Sequence, residues 1–314
     1  MRFSNGAGKS TYLYTQRMNK VMYRAVVERG EIIWQDTDAP PAPWWSLSKT
    51  AIAAAALVLV QRGRLELDGP LLGQEFTLRQ LLYHAAGVPD YGDLVEYHQA
   101  VASGLPPWSR TELFDRVQVQ RLRFKPGTRF VYSNVGYTVV RGLIEGATGS
   151  HLGDALDELV FRALDLEDVR VASVPADLGI KPWGCTGGYH PGWVFHGLVV
   201  STPAQAALFL NRLLGGVLLN AALLEAMREP VMISNSGIPD RPWNIAGYGL
   251  GLMIDLRSPL GPCYGHTGQG PGSSTATYRF EALEGARTVS VFAATEDQGT
   301  VEREALALAK RALA

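Results

Sequence analysis

Ser46 and Lys49 stand three residues apart, in the run Ser46-Leu47-Ser48-Lys49, at the start of a strongly apolar stretch. On a helix that spacing puts both side chains on one face, so the lysine amine can reach the serine hydroxyl. A serine hydroxyl is a weak nucleophile until a base removes its proton. A lysine desolvated by burial gives up its charge more readily and can be that base. The start of a helix also favours developing negative charge, and the backbone N–H of Ser46 is free to point at it. Alone the motif says little, because about one S-x-x-K arises by chance in a chain of this length at ordinary serine and lysine frequencies. The unreactive alternative is a capping serine beside a solvated lysine.

Two further groups carry residue types suited to the same chemistry. Tyr132-Ser133-Asn134 follows the Pro126-Gly127 turn and precedes a helical pattern, setting a phenol and a carboxamide at a loop-to-helix junction. His266-Thr267-Gly268 lies in a glycine-rich segment between strand-like runs, where a missing side chain lets a substrate lie against backbone. Each has a plain alternative: Tyr132 as a buried aromatic, Asn134 as a helix cap, Gly268 as a turn. Other signatures are incomplete. Gly8-Lys9-Ser10-Thr11 looks like the end of a phosphate-binding loop, but Phe3 stands where its first glycine belongs. No G-x-S-x-G elbow occurs. Cys185, His190 and His196 could gather round a metal, yet no fourth ligand is in view and they read as loop residues.

The elements that must position these groups follow from periodicity. Lys20–Gln35 reads as a hairpin broken at Glu28, Arg29 and Gly30. Ser46–Arg62 is apolar on nearly every face and reads as a buried helix stopped at Gly63. Helical segments follow at 77–85, 110–118, 135–147, 152–164, 202–214 and 218–228, with Asn134 and Ser150 at N-cap positions. Strand-like runs return at 249–254, 274–279 and 288–294, before a closing helix from about Val301 to Leu313. Strands at both ends of a helical middle predict an α/β part, residues 1–45 and 245–314, sharing one sheet, with a mainly helical domain inserted at 46–244.

Composition narrows the partners. The chain has 314 residues, 46% hydrophobic and 19% charged, with 29 basic and 30 acidic groups. A charge of −1 with no basic run argues against nucleic acid. The longest apolar run, 51–60, is about half of a bilayer span. No apolar signal-type core lies in Met1–Ser10, so the expectation is a soluble, cytoplasmic protein, or one whose recorded start lies too far downstream. Cys185 and Cys263 read as free thiols.

Taken together and in order, the motifs resemble those of the serine β-lactamases of class C type and the related D-Ala-D-Ala carboxypeptidases, D-aminopeptidases and carboxylesterases of the penicillin-recognising fold. SLSKTAIAAAALVLVQRGRLELDGPL, FTLRQLLYHAAGVPDY, FKPGTRFVYSNVGYTVVRGLIEGATG, GLVVSTPAQAALFL and YGHTGQGPGSS are all similar to the family's segments, in its order, from about Lys20 to the C-terminus. The resemblance implies α/β plus all-α architecture of the β-lactamase/transpeptidase type: an antiparallel sheet flanked by helices with an inserted helical domain, and an active site in the cleft between the two domains. It implies Ser46 as the acylated nucleophile, with Lys49 and Tyr132 shuttling its proton. Either could be the base, since a phenol titrating near 10 needs neighbouring positive charge to serve. Asn134 would orient substrate and Lys49, and Thr267 would face the substrate on a strand containing His266 and Gly268. The backbone N–H of Gln269 would complete an oxyanion hole with that of Ser46. No metal or organic cofactor is implied, and oligomeric state is not indicated.

The family's third motif usually begins with lysine, a fixed charge for a substrate carboxylate. His266 is mostly neutral near pH 7, which should weaken selection for carboxylates. The expected substrate is therefore a small ester or amide, with ester hydrolysis exceeding β-lactam hydrolysis. A D-amino-acid peptidase or amidase and a weak β-lactamase are the enzyme alternatives, and a non-catalytic acyl-ligand-binding or scaffold member the other. Trp44 and Trp45 could wall an apolar pocket or pack between the domains. Tyr189, His190, Trp193 and His196 could line the opposite rim.

Overall fold

The structure, a computed structural model, describes residues 21–71, 73–178 and 189–311. Cys185, the Gly8–Thr11 run and the rest of Met1–Asn19 lie outside the described residues. The expected hairpin is present: β1 (Met22–Glu28) and β2 (Glu31–Gln35) pair antiparallel around Arg29 and Gly30, both at positive φ. Two left-handed central residues match the twist of the flanking strands. A short β3 (Ala42–Pro43) leads through a 3-10 turn over Trp45–Leu47 into α1 (Ser48–Gln61). Helices α2 (Leu78–Leu82), α3 (Val95–Ala102), α4 (Arg110–Val117), α5 (Asn134–Thr148) and α6 (Leu152–Leu156) follow, then β4 (Arg170–Val171) and β5 (Val199–Ser201). The chain continues with α7 (Pro203–Leu214), α8 (Ala221–Arg228), β6 (Val231–Ser234), β7 (Ala246–Tyr248) and β8 (Met253–Asp255). It closes with β9 (Cys263–Gly270), β10 (Ser273–Phe280), β11 (Thr288–Ala293) and α9 (Gln298–Lys310).

Strands from both ends of the chain share one eight-stranded antiparallel sheet, ordered β2-β1-β11-β10-β9-β8-β7-β6. Both of its faces are covered. Val26, Tyr278 and Val291 pack with Val301, Ala305 and Leu308 of α9, whereas Ala25 and Val27 pack with Ala204, Ala207 and Leu208 of α7. The expected division at 46–244 is therefore too wide, since α7 lies on the sheet and β6 forms its edge. Periodicity identifies α7 as a helix but does not say against what its stripe packs. A second small sheet, β3-β5-β4, ties the segment before α1 to the one before α7.

Helix α1 is buried at every position from Ser48 to Leu59, as a helix apolar all round must be. Two other elements differ from the sequence reading. Helix α3 buries only Ala100 and so shows no clear apolar stripe. Strand β9 is hidden by Gly265, Gly268 and Gly270, which composition alone reads as loop. Those glycines are required by close contacts: a Cβ on Gly265 would overlap Thr277 O, and one on Gly270 would overlap the Trp45 ring. Among the described residues, no helix is long and apolar enough to cross a membrane.

Candidate active site

Of residues 42–59, Ser46 alone is not buried. It sits in the 3-10 turn rather than at the cap of α1, whose N-cap is Leu47. The turn is strained and firmly held. Trp45 is at φ 49°, a left-handed conformation that a bulky residue keeps only when its surroundings impose it. Its indole N–H donates to Ser273 Oγ at 2.9 Å, and Trp44 N donates to Val199 O at 2.8 Å. The neighbouring hydroxyls are structural: Ser48 Oγ accepts from Val199 N, and Thr50 Oγ1 donates to Gly251 O. The two tryptophans divide the roles open to them. Trp44 is fully buried against Phe209, whereas Trp45 walls the pocket.

Lys49 is fully buried one turn beyond Ser46. Its Nζ lies 3.3 Å from Ser46 Oγ, 2.8 Å from Asn134 Oδ1 and 3.2 Å from His196 Nε2, and 5.0 Å from the centre of the Tyr132 ring. Burial pushes the lysine from its ordinary 10.5 down to about 7, against the opposing attraction of Asp90. Tyr132 moves the other way. Burial raises its phenol, outweighing the hydrogen bond with Ser46 and the more distant Arg241 guanidinium, so it carries its proton at neutral pH.

Asn134 is free to serve the site because Ser133, not Asn134, caps α5: Ser133 Oγ accepts from Gly136 N at 3.0 Å. Asn134 is the first helical residue, and Asp90 fixes its orientation. The Asp90 carboxylate accepts from Asn134 N at 2.9 Å, Val135 N at 3.3 Å and Asn134 Nδ2 at 3.0 Å. Asn134 Oδ1 is thereby turned to Lys49. Burial raises the Asp90 carboxyl, opposed by these N–H groups and by Lys49. His84 positions Tyr132: its Nδ1 accepts from Ser133 N at 3.1 Å and its ring lies 4.1 Å from that of Tyr132. Asp90 and His84 were missed in the sequence, where Pro89-Asp90 signals a turn and nothing more.

Strand β9 brings the third group into place. Beyond its pairing with β8, which ends at Gly265, the strand runs alongside the Ser46 turn. A Cβ on Gly268 would overlap Trp44 O and come within 2.9 Å of Ser46 N. Gly268→Ala should therefore push the Ser46 turn out of register, lowering kcat at least about 10-fold with stability lower by about 1–3 kcal/mol; steady-state kinetics and thermal melts check it, and wild-type values would contradict the close approach.

His266 is fully buried rather than at the pocket surface. Its Nδ1–H donates to Thr267 O at 2.7 Å and its Nε2 accepts from Tyr248 Oη at 2.9 Å. Burial, with the Lys49 charge, pushes its pKa down to about 3, so it is neutral as expected. Thr267 corrects an expectation: its hydroxyl does not face the pocket but bonds Tyr278 Oη at 2.8 Å and the buried Glu302 on α9. The strand's two-residue period sends it to the opposite face from His266 and Gly268. Gln269 lines the pocket.

The pocket over Ser46 has a volume of about 220 Å3. Trp45, Tyr91, Tyr97, Tyr132 and Tyr189 give it aromatic walls, with His196 and Gln269 as polar members and no Asp, Glu, Lys or Arg among its described lining residues. Of the expected rim residues, Tyr189 and His196 reach it. Trp193 is buried against Trp108, His190 Nδ1 accepts from Gly192 N, and His196 Nε2 meets Lys49; among the described residues no group of three or more His, Cys, Asp or Glu side chains is placed to hold a metal.

The family model described as Beta-lactamase matches residues 13–314. Penicillin-binding protein 4* of Bacillus subtilis is 23% identical over 303 residues, covering 85% of this chain and 64% of the relative. Esterase EstB of Burkholderia gladioli is 29% identical over 158 residues, 44% of this chain and 40% of the esterase. The chain thus spans less than two thirds of the length of either relative. A D-stereospecific amidohydrolase from Streptomyces sp. superposes with a TM-score of 0.74 at 22% identity, covering 88% of this chain and 90% of that one.

Proposed function

The chain belongs to the Beta-lactamase family, and from that premise we propose that it is a serine hydrolase that cleaves small, uncharged esters through an acyl-Ser46 intermediate. The observation that supports the substrate class is the absence of a charged side chain from the described pocket lining. A penicillin or a D-Ala-D-Ala peptide brings a carboxylate, and His266 is too basic-poor to meet it with a cation. A D-amino-acid amide brings an ammonium, and the acid nearest the site, Asp90, is committed to Asn134 and the start of α5. A neutral acyl group needs neither, and the small aromatic volume suits a short one.

The geometry supports the following sequence. Lys49 Nζ, about half of it neutral near pH 7, takes the proton from Ser46 Oγ as the oxygen bonds to the substrate carbonyl carbon. The carbonyl oxygen gains the negative charge, and the backbone N–H groups of Ser46 and Gln269 are the proposed donors to it. Collapse breaks the ester bond. The protonated Tyr132, hydrogen-bonded at Ser46, gives its proton to the leaving alkoxide and is reprotonated by Lys49. Water then attacks the acyl group, its proton passing to Lys49; the bond from the acyl carbon to Ser46 Oγ breaks, Lys49 returns the proton to Oγ, and the carboxylic acid departs.

Turnover of p-nitrophenyl butyrate, D-phenylalanine amide and nitrocefin on one enzyme preparation tests the substrate class. We expect kcat/KM for the ester to exceed the others by at least about 10-fold, the discrimination that an unpaired buried charge imposes. Efficient nitrocefin or D-amide hydrolysis with poor esterase activity would overturn it. The family resemblance to the esterase and to the amidohydrolase fold is compatible with either enzyme outcome, so the kinetics decide.

A further inference from the structure

Lys49 Nζ has three polar neighbours, and their chemistry restricts how its hydrogens are arranged. A neutral amine offers two N–H donors and one lone pair. Asn134 Oδ1 only accepts, and its orientation is fixed because Asn134 Nδ2 donates to Asp90 Oδ2 at 3.0 Å. One N–H therefore goes to Asn134. If the other pointed at Ser46, the lone pair would face away from the proton it must receive.

We propose that His196 is a positioning residue for Ser46 acylation: its Nε2 accepts the second N–H of Lys49, which leaves the amine's lone pair aimed at Ser46 Oγ. The three distances, 2.8 Å to Asn134, 3.2 Å to His196 and 3.3 Å to Ser46, then account for every valence of the amine. After proton transfer the ammonium has three N–H groups for the same three acceptors, so no partner has to move. The inference rests on the reading of Ser46 as nucleophile and Lys49 as base.

The facing Lys49 amine selects this tautomer, at the cost of an unpaired Nδ1–H. With Nε2 accepting, the single ring proton is on Nδ1, which is buried and has no hydrogen-bond partner among the described residues. A second ring proton would point at Lys49. Burial, foremost, and the facing Lys49, Arg141, His266 and His84 all hold His196 well below its ordinary pKa, so it stays a neutral acceptor. The backbone on either side is pinned: Arg141 Nη1 donates to Phe195 O at 3.2 Å, and Gly197 N donates to Val194 O at 2.8 Å.

The test compares wild-type enzyme with His196→Phe and His196→Gln, with Ser46→Ala as control, using the full pH profile of p-nitrophenyl butyrate hydrolysis and thermal melts. Phenylalanine fills the ring's space without an acceptor, whereas the glutamine carboxamide can place an oxygen near the position of Nε2. His196→Phe should lower kcat about 10- to 100-fold with KM changed less than about 3-fold, because the amine loses its aim and not the substrate its pocket. It should also move the acidic limb of kcat/KM to lower pH, since the Lys49 ammonium loses an acceptor. His196→Gln should recover most of the rate and return the limb. The proposal is overturned if His196→Phe leaves plateau and limb unchanged, or if folded His196→Gln is as impaired as His196→Phe. Activity persisting in Ser46→Ala would instead overturn the underlying reading.

Discussion

Ser46→Ala should abolish ester turnover, lowering kcat by about 10⁴-fold or more, while the protein remains folded. The size of the effect follows from what is lost. Without the hydroxyl there is no acyl-enzyme, and what remains is substrate binding plus backbone donors, which accelerate hydrolysis far less than the complete set. Retention of the fold follows from the site's construction. The turn is held by Trp44 and Trp45, not by the serine side chain, and Lys49 keeps Asn134 and His196 as partners. Residual turnover near the wild-type rate would remove Ser46 from the chemistry. Melting temperatures within a few degrees of wild type would show that the loss is chemical.

The second large effect belongs to Lys49→Met, which should lower kcat about 10³-fold while raising thermal stability. A buried ammonium is expensive, and Lys49 titrates near 7 in the folded protein against its ordinary 10.5. Between those values the unfolded chain binds the proton and the folded one does not, so stability rises with pH across that window. The penalty is complete below about pH 7 and vanishes above about 10.5. At pH 7 it is on the order of 4 kcal/mol, partly offset because methionine also gives up the hydrogen bonds to Asn134 and His196. Scanning calorimetry of both proteins from pH 6 to 10 should show the variant melting higher at pH 6 and the gap narrowing as pH rises. For wild type, kcat/KM should climb through an acidic limb near 7, the neutral amine being the active form. A variant that melts lower at every pH, or a wild-type rate that falls as pH rises through 7, would contradict the assignment of Lys49 as base.

Much of this site could be read from residue types and spacing, and the failures have specific physical causes. The S-x-x-K run at the head of an apolar helix points to a serine–lysine pair, and Lys49 Nζ does lie 3.3 Å from Ser46 Oγ, although the serine sits in a 3-10 turn ahead of the helix. Asn134 looked like a cap because caps favour that residue type; the cap is Ser133, one residue earlier, and that shift frees the carboxamide. The glycines of β9 masked a strand, and with it the alternation that turns Thr267 toward Glu302. Asp90, His84 and the contact between His196 and Lys49 join residues 44, 49 and 147 positions apart. No local pattern announces such pairings, because they exist only once α1, α5 and the segment before β5 have packed together. The helical insertion was expected from strands at both ends of the chain, but its limit was misplaced because α7 packs on the sheet.

The low charge of the chain as a whole is matched by the described lining of its pocket, and the two have different origins. The first is a balance of 29 basic and 30 acidic groups. The second is aromatic walls, His196 kept neutral by burial, and an aspartate, Asp90, turned away from the pocket to hold a helix. Only the second bears on which acyl group enters.

The central claim is covalent chemistry at one hydroxyl, and intact-protein mass spectrometry tests it most directly. Wild-type enzyme mixed with p-nitrophenyl butyrate and quenched in acid within the first turnovers should gain the mass of one butyryl group, and peptide mapping should place that group on Ser46. Ser46→Ala should gain nothing under the same conditions. An adduct mapped to another residue, or an equal adduct on Ser46→Ala, would contradict the account.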